Sequence, residues 1–177
     1  MTFSIEPGTP GDLHDAVAID DDACRLFESV GMTVTGSAFE AYSEAEKARW
    51  SHAAEREQLF FARDAEGARV GLVVLAHVDD GAYLEQLSVR QCAMRRGLGR
   101  MLLGYALDWT REHHARVLWL TTYGHLGWNA PFYESAGFSR VNESDCGGGI
   151  RAILAEQRAV LPLPERRVAM RRYLDPS

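Results

Sequence analysis

Five residues, Arg95-Arg96-Gly97-Leu98-Gly99, stand between a strand-like run that ends at Val89 and a helical apolar pattern beyond them. Glycines leave backbone N–H groups uncovered, and the first turn of a helix has four N–H groups without an intrahelical partner. The helix dipole adds partial positive charge at the same place, and Arg90, Arg95, Arg96 and Arg100 cluster around it. These features suit a pyrophosphate, so the stretch predicts a ligand that carries a diphosphate. A P-loop would place a lysine where Arg100 follows Gly99. A dinucleotide site would show an acidic residue about twenty positions on, at the end of the next strand, and the sequence has none there.

Three other side chains could take part in proton transfer or ligand binding. Tyr133 sits in the run Trp128-Asn129-Ala130-Pro131-Phe132-Tyr133-Glu134-Ser135-Ala136-Gly137-Phe138. A phenol with a pKa near ~10 is protonated at neutral pH and can donate. On the residue alone, packing beside Phe132 and Phe138 is the first reading. Glu85 lies in the extended run Ala82–Val89, on one face with Tyr83, Leu87 and Val89. A carboxylate on a face that otherwise turns apolar is either functional or turned outward by a bulge. Asn129 is either a ligand contact or the cap of a short helix.

The elements that must position these groups follow from periodicity and punctuation. Thr2–Glu6 alternates as a strand. Thr9-Pro10-Gly11-Asp12 reads as a helix start with proline in its first turn, and Leu13, Ala16 and Val17 form the apolar face behind it. Ser37-Ala38-Phe39-Glu40 matches a capping box for a helix to about Glu57, with Phe39, Tyr42, Trp50 and Ala53 inward. Leu59–Arg63 and Val70–Val78 flank the turn 64–67 as a hairpin, and Ala82–Val89 follows the turn Asp79-Asp80-Gly81. Gly97–Glu112 carries Leu98, Met101, Leu102, Tyr105 and Trp109 on one helical face. Val117–Thr122 is a buried-type strand. Asn129–Ala136 is a short helix stopped by Gly137. Phe138 opens a strand, Gly147-Gly148-Gly149 reads as a flexible break, Ile150–Arg158 as a short surface helix, and Arg166–Leu174 as a closing strand. A central antiparallel meander with one strand–helix–strand crossover after Val89 departs from the strict alternation of a doubly wound fold.

The 177 residues suit one domain, 1–177, with no repeat or low-complexity linker. The net charge of −6 argues against a general nucleic-acid binder. The acidic runs, Asp20-Asp21-Asp22 among them, read first as solvated surface, although they would also suit a cationic partner. No secretory pattern opens the chain, and its longest apolar run is too short for a bilayer. A soluble, cytoplasmic protein without membrane contact is therefore expected. Cys24, Cys92 and Cys146 lack ligand spacing and read as reduced thiols. No histidine has zinc-like companions, so no metal is expected. Phe27, Met32 and Trp50 are either core or the interface of a homodimer.

Met94-Arg95-Arg96-Gly97-Leu98-Gly99 resembles the coenzyme A signature of the GNAT superfamily of N-acetyltransferases, Gln/Arg-x-x-Gly-x-Gly/Ala, with Met94 departing from the usual Gln or Arg. Asn129 to Phe138 is similar to the superfamily's later Asn…Phe-Tyr…Gly-Phe region in a compressed form, and the ending Arg167–Arg172 is like its closing strand. The two motifs stand in the family's order, each after a strand.

The resemblance implies an α/β (α+β) fold: a mixed, mostly antiparallel sheet of six or seven strands with about four helices. It implies transfer of an acetyl group from acetyl-CoA to a primary amine, small-molecule or peptide, without metal. Met94, Arg95, Arg96, Gly97, Leu98, Gly99 and Arg100 would hold the pyrophosphate. Leu87, Ser88 and Val89 would pair with the pantetheine arm as an added strand, splayed from the next strand by a bulge. The N–H of Val89 or Leu87 would polarise the thioester carbonyl. Asn129 and Phe132 would contact the coenzyme arm, Tyr133 would be the general acid, and Glu85, with Tyr83 in reserve, the base. A module that binds acyl-CoA without turnover, as a sensor, is the alternative; Tyr133 argues for turnover, since a pure binder needs no acid near the sulfur.

Overall fold

Strand β1 (Ser4–Pro7) leads through a turn at Pro10–Asp12 into α1 (Leu13–Glu28) and α2 (Ser37–Glu55). Strands β2 (Leu59–Arg63), β3 (Arg69–Val78) and β4 (Gly81–Val89) follow, then α3 (Leu98–Glu112), β5 (Val117–Tyr123), α4 (Ala130–Glu134), β6 (Ser139–Val141), α5 (Gly148–Val160) and β7 (Arg167–Tyr173). The computed structural model describes residues 2–174. Among these, seven strands form one sheet in the order β1-β2-β3-β4-β5-β7-β6. The fold is thus the mostly antiparallel α/β arrangement expected, with five helices. The chain gathers into two compact units, passing between them within β3, β4 and α3.

One unit holds the chain up to Ala76 together with Glu85–Ala106. Its strands β1, β2 and β3 are antiparallel, with a bulge between Ala62 and Arg63. Alternate residues Leu59, Phe61, Leu72 and Val74 point to one sheet face and form a core with Ala16 and Ile19 of α1 and Trp50, Ala53 and Ala54 of α2. The opposite face meets α3: Phe60 packs on Tyr105 at 4.7 Å. A Cβ on Gly71 would come within 3.0 Å of Leu102 and 3.2 Å of the Ser88 carbonyl. Glycine at 71 is what lets α3 lie that close to the strands. Asp12 closes the start of the first helical region by accepting from the Thr9 N–H at 2.8 Å and hydroxyl at 2.6 Å.

The other unit holds His77–Leu84 and the chain from Leu107 onward. Here β4 pairs in parallel with β5, Ala82 with Leu118 through Leu84 with Leu120. β7 lies antiparallel to β5 and to β6. A Cβ on Gly81 would meet Val117 at 2.7 Å, so this turn needs glycine for close approach. His113 stacks on Trp109 at 3.9 Å, and Trp109 is buried.

Several boundaries differ from the sequence expectation. The glycines 147–149 are not a break. Gly148 and Gly149 are the first turn of α5, where Asp79 accepts from the Gly149 N–H at 2.8 Å and the Ile150 N–H at 3.2 Å. A carboxylate from seventy residues away thus supplies the cap that the local sequence lacks. The capping box at Ser37–Glu40 does not form: Gly36, at φ 108°, caps α2, and Ser37 is already helical. Phe39 is only half-buried. Met32 and Trp50 are core, at 8% and 2% exposure, rather than interface. Arg158 is tied down by Glu143 at 2.5 Å and by the Arg167 carbonyl at 3.1 Å rather than lying free on the surface. Among the described residues no helix is long and apolar enough to cross a membrane.

Candidate active site

In the first unit, β4 ends at Val89 and the Arg90 N–H donates to the Val70 carbonyl at 2.8 Å. A single 3-10 turn, Gln91–Ala93, and an extended Met94 follow. Arg95, at φ 59°, and Gly97, at φ 84°, are both left-handed. Such a turn swings the chain sharply into α3. The first helical bond runs from the Met101 N–H to the Gly97 carbonyl at 3.1 Å, so the N–H groups of Leu98 and Gly99 find no carbonyl within the helix. A Cβ at Gly97 would meet nothing within 4 Å, which puts open space over the turn. Leu98 itself is buried, so it offers only its amide; Arg95, Arg96 and Arg100 are exposed around it. Two left-handed residues, three exposed arginines and the Leu98 and Gly99 amides thus stand together at the start of α3.

Helix α1 braces this turn. Asp22 accepts from the Gln91 N–H at 2.7 Å, and its carbonyl accepts from the Gln91 side-chain amide at 3.0 Å. Two turns of the same contact run along β4. Asp20 accepts from the Ser88 hydroxyl at 2.6 Å and from the Gln86 amide at 2.6 Å. The Gln86 amide also reaches the Ser88 oxygen at 2.9 Å. Burial pushes the Asp20 carboxyl above the usual carboxylate range, against the pull of the bonds from Ser88, Gln86 and Cys24. The acidic run, expected as solvated surface, is thus tied to β4 and the turn behind it. Nothing local marks Asp20 or Asp22, because their partners lie 66 to 69 residues away.

Glu85, expected as the base, is held by Arg49 of α2, whose Nε donates to Oε1 at 2.6 Å, and its side chain is 11% exposed. Leu87 and Val89 are half-buried and Ser88 is buried.

The second unit holds Tyr133, Asn129, Phe132 and Tyr83. Tyr133 packs edge-on against Phe132, with ring centroids 5.0 Å apart, and against Phe138 at 5.8 Å. Among the described residues no group hydrogen-bonds its hydroxyl. Burial, with the Tyr83 phenol adding to it, raises its pKa above the ordinary value; Arg167 opposes the shift. The phenol is therefore protonated at neutral pH, as an acid must be. Asn129 stands at the N-terminus of α4, where its carbonyl accepts from the Phe132 and Tyr133 N–H groups at 2.9 and 3.2 Å. Its side chain makes no cap bond, contrary to the capping reading. Tyr83 is buried and its hydroxyl meets Thr121 at 2.9 Å. Candidate residues are thus brought together within each unit: 85–100 in one, and Tyr83, Asn129, Phe132 and Tyr133 in the other. Among the described residues no group of three His, Cys, Asp or Glu could hold a metal.

The family model described as the acetyltransferase (GNAT) family matches residues 16–138. The PaiA N-acetyltransferase of Thermoplasma acidophilum, solved with coenzyme A, is similar at TM-score 0.70 and 16% identity, over 98% of this chain and 100% of that one. A GNAT-family acetyltransferase of Staphylococcus aureus Mu50 is similar at TM-score 0.75 and 13% identity, over 98% and 100%. The ribosomal-protein-S18-alanine N-acetyltransferase of Escherichia coli is similar at TM-score 0.64 and 16% identity, over 99% and 96%. At these identities the structural likeness is one of fold.

Proposed function

The chain belongs to the acetyltransferase (GNAT) family, which uses acetyl-CoA, and from that premise we propose that it transfers the acetyl group of acetyl-CoA to a primary amine by direct attack on the thioester. The observation that carries the reading is the turn from Met94 to Arg100, with two left-handed residues, exposed arginines and the Leu98 and Gly99 amides, which have no carbonyl within the helix.

The residues take separate parts. The Leu98 and Gly99 amides, with Arg95, Arg96, Gly97 and Arg100 around them, cradle the pyrophosphate; the Met94 N–H already donates to the Gln91 carbonyl at 3.3 Å, so Met94 borders the seat without lending its amide. The backbone of Leu87, Ser88 and Val89 pairs with the pantetheine arm, and the N–H of Val89 or Leu87 polarises the thioester carbonyl. Asn129 and Phe132 steady the coenzyme arm. The amine nitrogen attacks the carbonyl carbon; the C–N bond forms and the C–S bond breaks. The departing sulfur takes the Tyr133 proton, and the surplus proton of the amine leaves to Glu85, directly or through a water. Supporting the base role, Arg49 beside Glu85 favours its charged form. Supporting the acid role, the Tyr133 hydroxyl is raised in pKa and uncommitted.

Thiol release from acetyl-CoA with a panel of primary amines tests this reading. Amine-dependent release is expected. Tight coenzyme binding with no release under any acceptor would replace it with the sensor reading.

A further inference from the structure

Left-handed backbone at a residue with a side chain is strained, and at three such residues of this chain a bond offsets the strain. Glu57, at φ 58°, and His114, at φ 56°, close α2 and α3, where the next N–H groups, of Gln58 and Ala115, donate back to the Ala53 and Thr110 carbonyls at 2.8 and 3.1 Å. Asp79, at φ 53°, caps α5 with its carboxylate. Arg95, at φ 59°, is different. It is exposed, and among the described residues no carboxylate, carbonyl or ring engages its guanidinium. Arg90, grouped with it in the sequence, is instead committed to protein: its Nε donates to the Arg69 carbonyl at 3.1 Å and its Nη1 to the Ala18 carbonyl at 3.4 Å. Open space lies over the turn at Gly97, two residues beyond Arg95.

We propose that the Arg95 guanidinium takes the 3′-phosphate of the coenzyme, so that this protein selects CoA over dephospho-CoA. The inference rests on the acetyl-CoA reading and adds the group that tells the two forms of the coenzyme apart. The Leu98 and Gly99 amides are fixed, neutral donors at the helix start. They suit the diphosphate, whose two phosphorus atoms carry one charge each. The 3′-phosphate is a monoester on the neighbouring ribose. At neutral pH it carries nearly two negative charges, and its three unesterified oxygens match a guanidinium fork, which binds at two points. The strained backbone of Arg95 helps to shape the turn, while its side chain keeps its charge for the ligand.

Calorimetric titration of CoA and of dephospho-CoA into the wild type and into Arg95→Gly tests it. Glycine adopts a left-handed φ without strain, so the thermal midpoint of the variant should not fall below that of the wild type. Any loosening of the turn acts on both ligands alike and cancels in their ratio. The wild type is expected to bind CoA roughly tenfold more tightly than dephospho-CoA, and Arg95→Gly to bind the two nearly equally. A wild type without that preference, or a preference that survives in Arg95→Gly, would overturn the inference and leave acetyl transfer standing. A wild type that binds neither coenzyme would overturn both.

Discussion

Arg49 on α2 grips Glu85 on β4, guanidinium Nε to carboxylate Oε1, at 2.6 Å. A cation at that distance favours the ionised carboxylate, which is the state a proton acceptor needs, while weakening its appetite for a proton. Replacing Arg49 by alanine should therefore move the acidic limb of the kcat/KM profile to higher pH, since Glu85 then takes up its proton more readily. Profiles that superimpose for Arg49→Ala and wild type would mean that Glu85 does not carry the proton.

Tyr133→Phe removes a hydroxyl that no described residue hydrogen-bonds, so its thermal midpoint and CoA affinity should stay near those of the wild type. Turnover should fall roughly 10²- to 10³-fold, the scale of a lost general acid. Because burial raises this phenol, it stays protonated until the pH passes its folded value. Turnover should consequently not decline on its account between neutrality and about pH 10, the ordinary phenol value. Parallel losses in affinity and turnover would assign Tyr133 to packing.

Arg69 binds Glu6, Asp12 and Asp15 at 3.0, 2.6 and 2.7 Å. The bond to Arg69 holds Asp12 well below the usual carboxylate range, and Arg63 with Arg69 lowers Glu6. Groups depressed in this way stabilise the fold above their unfolded values, about 4, and lose that contribution as the pH falls. Melting temperatures from pH 6 down to pH 3 should thus drop steeply in the wild type and less steeply in Arg69→Met. Parallel curves would show that these pairs do not govern acid stability.

Gly71→Ala should couple packing to the coenzyme seat. Its new Cβ would press on Leu102, Leu98 and the Ser88 carbonyl at 3.0 to 3.3 Å. Crowding of this kind costs about 1–3 kcal/mol, and the displaced first turn of α3 should weaken CoA binding as well. Chemical denaturation and a CoA titration read the two effects; a stable variant with unaltered CoA affinity would detach the seat from the packing beneath it.

The parts of this protein that were legible in its sequence are those whose causes are local. Leu59–Arg63 and the apolar period from Leu98 to Trp109 place β2 and α3 within a residue or two. The glycine at 97 is legible because it stands between a strand-like run and a helical apolar pattern, and the structure gives it φ 84°. The illegible parts depend on distant partners. Three glycines in a row looked like a break because Asp79, which caps them into α5, is seventy residues earlier. Asp20 looked like surface because Ser88, its partner, is 68 residues later. Arg49 gave no sign of Glu85 for the same reason. Pattern reading along the chain finds the turn into α3; it does not find the side chains that α1 and α2 bring to β4.

The coenzyme seat itself is tested most directly by calorimetric titration of CoA into the wild type, Gly97→Gln and Gly97→Glu. Both variants place an L side chain at φ 84° and carry the same backbone strain, about 1–2 kcal/mol, so they differ only in charge. Affinity at least about tenfold weaker in Gly97→Glu than in Gly97→Gln is the predicted result for a diphosphate lying over this turn. Equal affinity in the two variants would place the diphosphate elsewhere and contradict the account.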